Sequence, residues 1–127
     1  MTNKEIKIAY QEFEAPEQME AHDRKLVEAA IEAMSGSYAP YSNFNVGAAV
    51  LLEDGEIIKG ANQENAAYPS GLCAERTALF FAGSSRPDTA VTSIAIAGGQ
   101  EGKLCKDPVT PCGACRQVMA QTQLRSG

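Results

Sequence analysis

Phe44-Asn45-Val46-Gly47-Ala48-Ala49-Val50-Leu51-Leu52 is apolar at nearly every position. A strand with one wet face alternates apolar and polar residues, so a run that does not alternate reads as a strand covered on both sides. Glu53-Asp54-Gly55-Glu56 follows, and Asp-Gly is the pair that supplies the positive φ of a tight hairpin. Ile57, Ile58 and Lys59 then return as a second strand. Val91 to Ala97 reads as a third, followed by Gly98-Gly99 and a polar loop.

Three helices are expected around these strands. Pro16 suits a helix start, with Glu17 and Glu20 in the first turn, where the dipole favours anions. Leu26, Val27, Ala30, Ile31 and Met34 recur at helical spacing, and Gly36 stops the run. Cys73 to Gly83 and Cys112 to Gln123 read as the other two helices. Helix, hairpin, helix, strand, helix is the order of an α/β domain with helices layered on a mixed sheet. Three strands are few for this length, so further strands or another subunit are expected at the sheet edge. Before Pro16, Ile6, Ile8 and Tyr10 alternate with polar residues, as a short strand or extended arm would. The division is therefore an arm over residues 1–15 and a domain over residues 16–127.

The 127 residues suffice for one domain with a real core. Eleven basic against sixteen acidic residues give a net charge of −5, which argues against a phosphate-tracking surface and so against nucleic acid as a partner. No apolar run approaches membrane-spanning length, and Met1 to Lys7 lacks the apolar core of a signal peptide, so a cytoplasmic protein without a membrane partner is expected. In that compartment clustered cysteines are metal ligands more often than disulfides.

Two short motifs carry the cysteines: Cys73-Ala74-Glu75-Arg76, and Pro111-Cys112-Gly113-Ala114-Cys115 about forty residues later. Each opens an expected helix, whose N-terminal amides favour thiolate over thiol. Cys112 and Cys115, three apart, project from one side of theirs. Three thiolates hold one zinc ion and leave a fourth position for water, as catalytic sites require. A Cys-x-x-Cys pair alone also fits a redox pair or a structural site, and Cys105 could close a four-cysteine structural site. Glu75 would add charge to an already anionic cluster, a poor choice for structure alone and a suitable one for moving protons. Arg76 would offset the excess negative charge by donating to the sulfurs. His22, the only histidine, sits at a helix edge. Asn62-Gln63-Glu64-Asn65, just ahead of the first motif, is a polar loop open to two readings, turn capping and substrate contact.

From Tyr38 to Val118 the sequence resembles the cytidine deaminase family, the small homotetrameric kind with three cysteine ligands. The resemblance lies in Tyr38-Ala39-Pro40-Tyr41-Ser42, Phe44-x-Val46-Gly47-Ala48-Ala49, Asn62-x-Glu64-Asn65-Ala66, Cys73-Ala74-Glu75-Arg76-Thr77-Ala78 and Pro111-Cys112-Gly113-Ala114-Cys115-Arg116-Gln117, in that order. It implies a cytidine-deaminase-like layered fold whose last strands this chain lacks. It also implies zinc held by Cys73, Cys112 and Cys115, with Glu75 as the proton carrier. Asn62 and Glu64 would hold ribose hydroxyls, Phe44 would pack on the pyrimidine, and Arg76 would donate to the sulfur ligands. The implied reaction is hydrolytic deamination of cytidine or deoxycytidine to the uridine product and ammonia, in pyrimidine salvage. Two alternatives stand beside it: a deaminase of another aminopyrimidine nucleoside, such as the antibiotic blasticidin, and a structural zinc module that serves as an interaction domain.

Overall fold

The computed structural model describes all 127 residues. Three strands, β1 (Phe44–Leu52), β2 (Ile57–Ala61) and β3 (Val91–Gln100), form one sheet in the order β2-β1-β3. Three α-helices pack on it: α1 (Ala21–Ala33), α2 (Ala74–Ser85) and α3 (Gly113–Ser126).

β1 is the central strand, which accounts for its unbroken apolar run. Ala48, Val50 and Leu52 point to one face, against Ala74, Ala78, Leu79 and Ala82 of α2, with Val118 and Met119 of α3 at the margin. Ala49 points to the other face, against Leu26, Ala30 and Met34 at α1. Val50 and Leu52 are fully buried, worth about 1.5–3 kcal/mol each relative to exposure. The buried set is otherwise mostly alanine, so helices and sheet approach closely. Two glycines permit the closest approaches. A Cβ on Gly47 would lie 2.1 Å from the Ala30 carbonyl oxygen, and one on Gly60 would lie 2.5 Å from the Ala78 amide nitrogen.

The hairpin turn is as expected, with Gly55 at φ 93°. Arg86, at the end of α2, pairs with Asp54 and Glu56 across it.

Four expectations need adjustment. Pro16 opens only a 3-10 turn, Pro16–Gln18, and α1 proper begins at Ala21. Ser37 to Asn43 follows a further 3-10 turn at Met34–Gly36, so Gly36 ends the helical path as expected. Residues 1–13 form no strand, because the alternating Ile6, Ile8 and Tyr10 find no sheet edge and stay exposed. β3 runs through Gly98 and Gly99 to Gln100, because both glycines pair with β1, Gly98 opposite Val46 and Gly99 opposite Asn45. Both strand pairings are antiparallel. β2 and β3 run the same way but are separated by β1, so no two strands of the sheet pair in parallel. No helix is long and apolar enough to cross a membrane.

Candidate active site

α2 and α3 start side by side on the same face of the sheet, and each start carries a cysteine as its N-cap. Cys73 has extended backbone geometry, and its carbonyl accepts from Thr77 N and from Thr77 Oγ1. Cys112 caps α3 with its own sulfur, which accepts from the Cys115 amide at 3.5 Å. Cys115 lies one turn in and is fully buried. The three sulfurs all fall within 4.8 Å of one another, with Cys73 and Cys112 3.7 Å apart. Four-coordinate zinc with sulfur at about 2.3 Å would separate its ligands by roughly 3.8 Å. The spacing and the soft donor set therefore fit zinc.

Glu75 is the one buried charged side chain, 4% exposed. One of its carboxylate oxygens accepts from the Cys115 thiol at 3.1 Å. Burial first, and this hydrogen bond second, push the Cys115 thiol far up. A cation is what would release that proton at neutral pH. Cys112 is moved the other way, chiefly by the Cys115 amide. Arg76 donates from Nη2 to the Cys73 sulfur at 3.5 Å, and this contact above all raises its already high pKa. Its Nε is buried without a partner, so the guanidinium has donor capacity to spare beside the sulfurs.

Beside Cys73 and Arg76 opens a cavity of about 150 Å³, lined also by Asn62, Glu64, Asn65 and Tyr68. The polar loop is held there by backbone pairing, Gln63 with Leu72 in both directions and Glu64 N to the Tyr38 carbonyl. Asn62 donates from Nδ2 to the Phe44 carbonyl and accepts at Oδ1 from Val46 N and Ser37 Oγ. Glu64 accepts from Tyr41 N and Ser42 N at Oε1 and from Ser42 Oγ at Oε2. Those bonds, the Ser42 hydroxyl first, hold the Glu64 carboxyl below its ordinary value.

The fold thus gathers seven of the residues singled out from sequence: the three cysteines, Glu75 and Arg76 in direct contact, with Glu64 and Asn62 in the adjoining cavity wall. Phe44 is tied to Asn62 through its carbonyl, but its ring lies near Gly98 and does not line the cavity. Cys105 stays out of the cluster, where its thiol donates to the Asp107 carbonyl. His22 is exposed between Glu20 and Asp23. Ser37 and Ser42 were not singled out, although both grip the polar loop. Only their place at the two ends of the Ser37 to Ser42 stretch hinted at it, Ser42 as the last residue of the Tyr38 to Ser42 block and Ser37 just before it.

Residues 20–126 match the family model described as the cytidine and deoxycytidylate deaminase zinc-binding region. A cytidine deaminase of Halalkalibacterium halodurans is 55% identical over 97 residues, which cover 76% of this chain and 68% of that protein. One from Mycobacterium tuberculosis is 40% identical over 95 residues, 72% of this chain and 65% of that protein. The chain thus spans about two thirds of the length of these relatives. Among solved structures, cytidine deaminase from Burkholderia pseudomallei superposes with a TM-score of 0.66 at 47% identity, covering 80% of this chain and 75% of that one. The Mycobacterium tuberculosis enzyme gives 0.70 at 35% identity, covering 81% and 79%. With three sulfurs and a buried glutamate gathered at two helix starts inside the matched region, this chain belongs to the cytidine and deoxycytidylate deaminase zinc-binding family.

Proposed function

We propose that this protein catalyses the zinc-dependent hydrolytic deamination of cytidine or deoxycytidine, giving uridine or deoxyuridine and ammonia. One observation carries the reading: a buried carboxylate, Glu75, lies 3.1 Å from the sulfur of Cys115 inside a three-cysteine cluster. A structural site has no use for that charge. Cys73, Cys112 and Cys115 hold the metal, and the distance of Cys105 from the cluster argues against a four-sulfur structural centre. Bound zinc supplies Lewis-acid activation of a water molecule near neutral pH.

Glu75 carries the protons. Its carboxylate takes one proton from the attacking water and delivers it to the pyrimidine N3, then takes the second from the new C4 hydroxyl and delivers it to the departing amine. Oxygen bonds to C4, the C4–N bond breaks, and nitrogen leaves as ammonia. Burial excludes bulk water from this exchange and strengthens each electrostatic contact within it. Arg76 donates to the Cys73 sulfur and so draws negative charge away from the metal.

Asn62 and Glu64 receive the sugar. The protein uses one of Asn62's two N–H groups and three of the roughly four lone-pair sites of Glu64. One donor and one acceptor remain, which matches a hydroxyl. Phe44 packs on the base when the nucleoside is bound. The domain spans residues 16–127, with residues 1–15 as an arm.

The protein acts in the cytoplasm in pyrimidine salvage and assembles as a homotetramer. Phe80 and Phe81, successive residues of α2 and each 51% exposed, support assembly as apolar surface that a neighbouring subunit would cover.

The test uses zinc-loaded protein with cytidine, followed by loss of ultraviolet absorbance and release of ammonia. Glu75→Gln keeps its zinc and loses turnover by about 10²–10⁴-fold. Zinc bound but no turnover of cytidine or deoxycytidine would shift the reading to another aminopyrimidine nucleoside. Full activity in Glu75→Gln would end it.

A further inference from the structure

Two polar residues of the cavity wall, Asn62 and Glu64, are each gripped by a serine from one loop. Ser37 Oγ donates to Asn62 Oδ1 and accepts from Asn45 Nδ2. Ser42 Oγ donates to Glu64 Oε2 at 2.5 Å and accepts from the Phe44 amide at 3.1 Å. Directly after Ser42 the chain passes through Asn43 at φ 56°, a left-handed turn that lets the Phe44 amide at the start of β1 reach back to the Ser42 hydroxyl.

A serine that only closes a turn needs the second of its two contacts, acceptance from the amide two residues on. Its proton here goes elsewhere, to a carboxylate 22 residues away in sequence. The amides of Tyr41 and Ser42 both address Oε1, so Ser42 alone engages Oε2. Without its hydroxyl the carboxylate could pivot about the Oε1 contacts. With it, both oxygens are fixed, and the free lone-pair direction on Oε2 is fixed with them. The only other charged side chain lining this cavity is Arg76, whose directed hydrogen bond goes to Cys73 and not to Glu64.

We propose that Ser42 is a positioning residue for nucleoside binding: its hydroxyl locks the Glu64 carboxylate in the one orientation that presents its remaining lone pair to a ribose hydroxyl. This inference rests on Glu64 as a sugar contact in the proposed deaminase.

Steady-state kinetics of zinc-loaded Ser42→Ala and Ser42→Thr test it, with a carboxyl titration as an independent readout. Ser42→Ala raises KM for cytidine about tenfold with kcat little changed, as expected for one hydrogen bond to a charged group. Ser42→Thr, which keeps the hydroxyl, restores KM. With Glu64 holding the 2′ or 3′ hydroxyl, wild type and Ser42→Ala have the same kcat/KM on 2′,3′-dideoxycytidine, which lacks both and keeps only the 5′. In carbon-13 NMR the Glu64 carboxyl of Ser42→Ala titrates closer to its ordinary 4.5 than in wild type. An unchanged KM for cytidine, an equal loss on the dideoxy substrate or an unchanged Glu64 titration would each overturn the proposal. Wild-type protein that fails to deaminate cytidine while Ser42→Ala still shifts the Glu64 titration would sink the deaminase reading and leave the Ser42–Glu64 lock standing.

Discussion

At the scale of single residues, charge placement at the site is what can be perturbed cleanly. Arg76 has no carboxylate partner, and its directed contact is to the Cys73 sulfur. Arg76→Ala therefore weakens zinc retention by about 10–100-fold, read by competition with a chromogenic chelator. Cys105→Ser leaves zinc affinity unchanged in the same assay, because Cys105 lies outside the cluster. Glu64 gives a pH signature. Its folded pKa lies below its ordinary 4.5, so the stability it contributes is complete above 4.5 and is lost as pH falls through the lowered value. Glu64→Gln accordingly flattens the acid limb of Tm against pH and leaves the profile near neutrality parallel to wild type.

At the scale of elements, the site depends on how closely α2 sits on the sheet. Gly60 faces the backbone of α2 at Ala74 and Ala78, the first turn and a half beyond Cys73. A methyl there meets backbone at 2.5 Å, which cannot rotate away, so the helix must lift. Gly60→Ala costs about 1–3 kcal/mol and lowers Tm by roughly 5–10 °C. It also shifts Cys73 and Glu75 together, so zinc affinity falls with stability. Gly113, in the first turn of α3, meets nothing within 4 Å. Gly113→Ala is neutral or stabilising by up to about 1 kcal/mol, which thermal melts of the two variants distinguish. The helices at the site were legible because helical spacing and N-terminal cysteines mark them. The entry into α1 was not, because proline fits the start of a 3-10 turn as well as that of an α-helix.

For the whole molecule, the metal is a staple between elements that hold each other weakly. α3 buries only Cys115 fully, and Val118 and Met119 lie at the margin of the α2 cluster. Its far end is tied by Arg125 to the Gly83 and Pro87 carbonyls and by Ser126 to Val91. Zinc bound to Cys73, Cys112 and Cys115 would join α2 to α3 at the opposite end. Free zinc at 1,000-fold its Kd stabilises the folded state by about 4 kcal/mol. Chelation lowers Tm accordingly, and hydrogen exchange in α3 accelerates before that in β1. Equal protection of α3 with and without zinc would show that packing alone holds it.

Local pattern alone yields the central strand, the hairpin turn, two cysteine-led helices and the residue types needed for a zinc hydrolase. Those features are local: an unbroken apolar run, an Asp-Gly pair, and cysteines and a glutamate at fixed spacing. Only the tertiary structure decided which cysteine is buried against Glu75, that Cys105 is left out, and that Ser37 and Ser42 grip Asn62 and Glu64. The first and last of these depend on contacts between residues 22 to 40 positions apart, brought together by the packing of α2 and α3 on one face of the sheet and by the pairing of β1 with β2. Spacing along the chain carries no record of such contacts, because distance between side chains is set by how helices seat on a sheet and not by how many residues separate them.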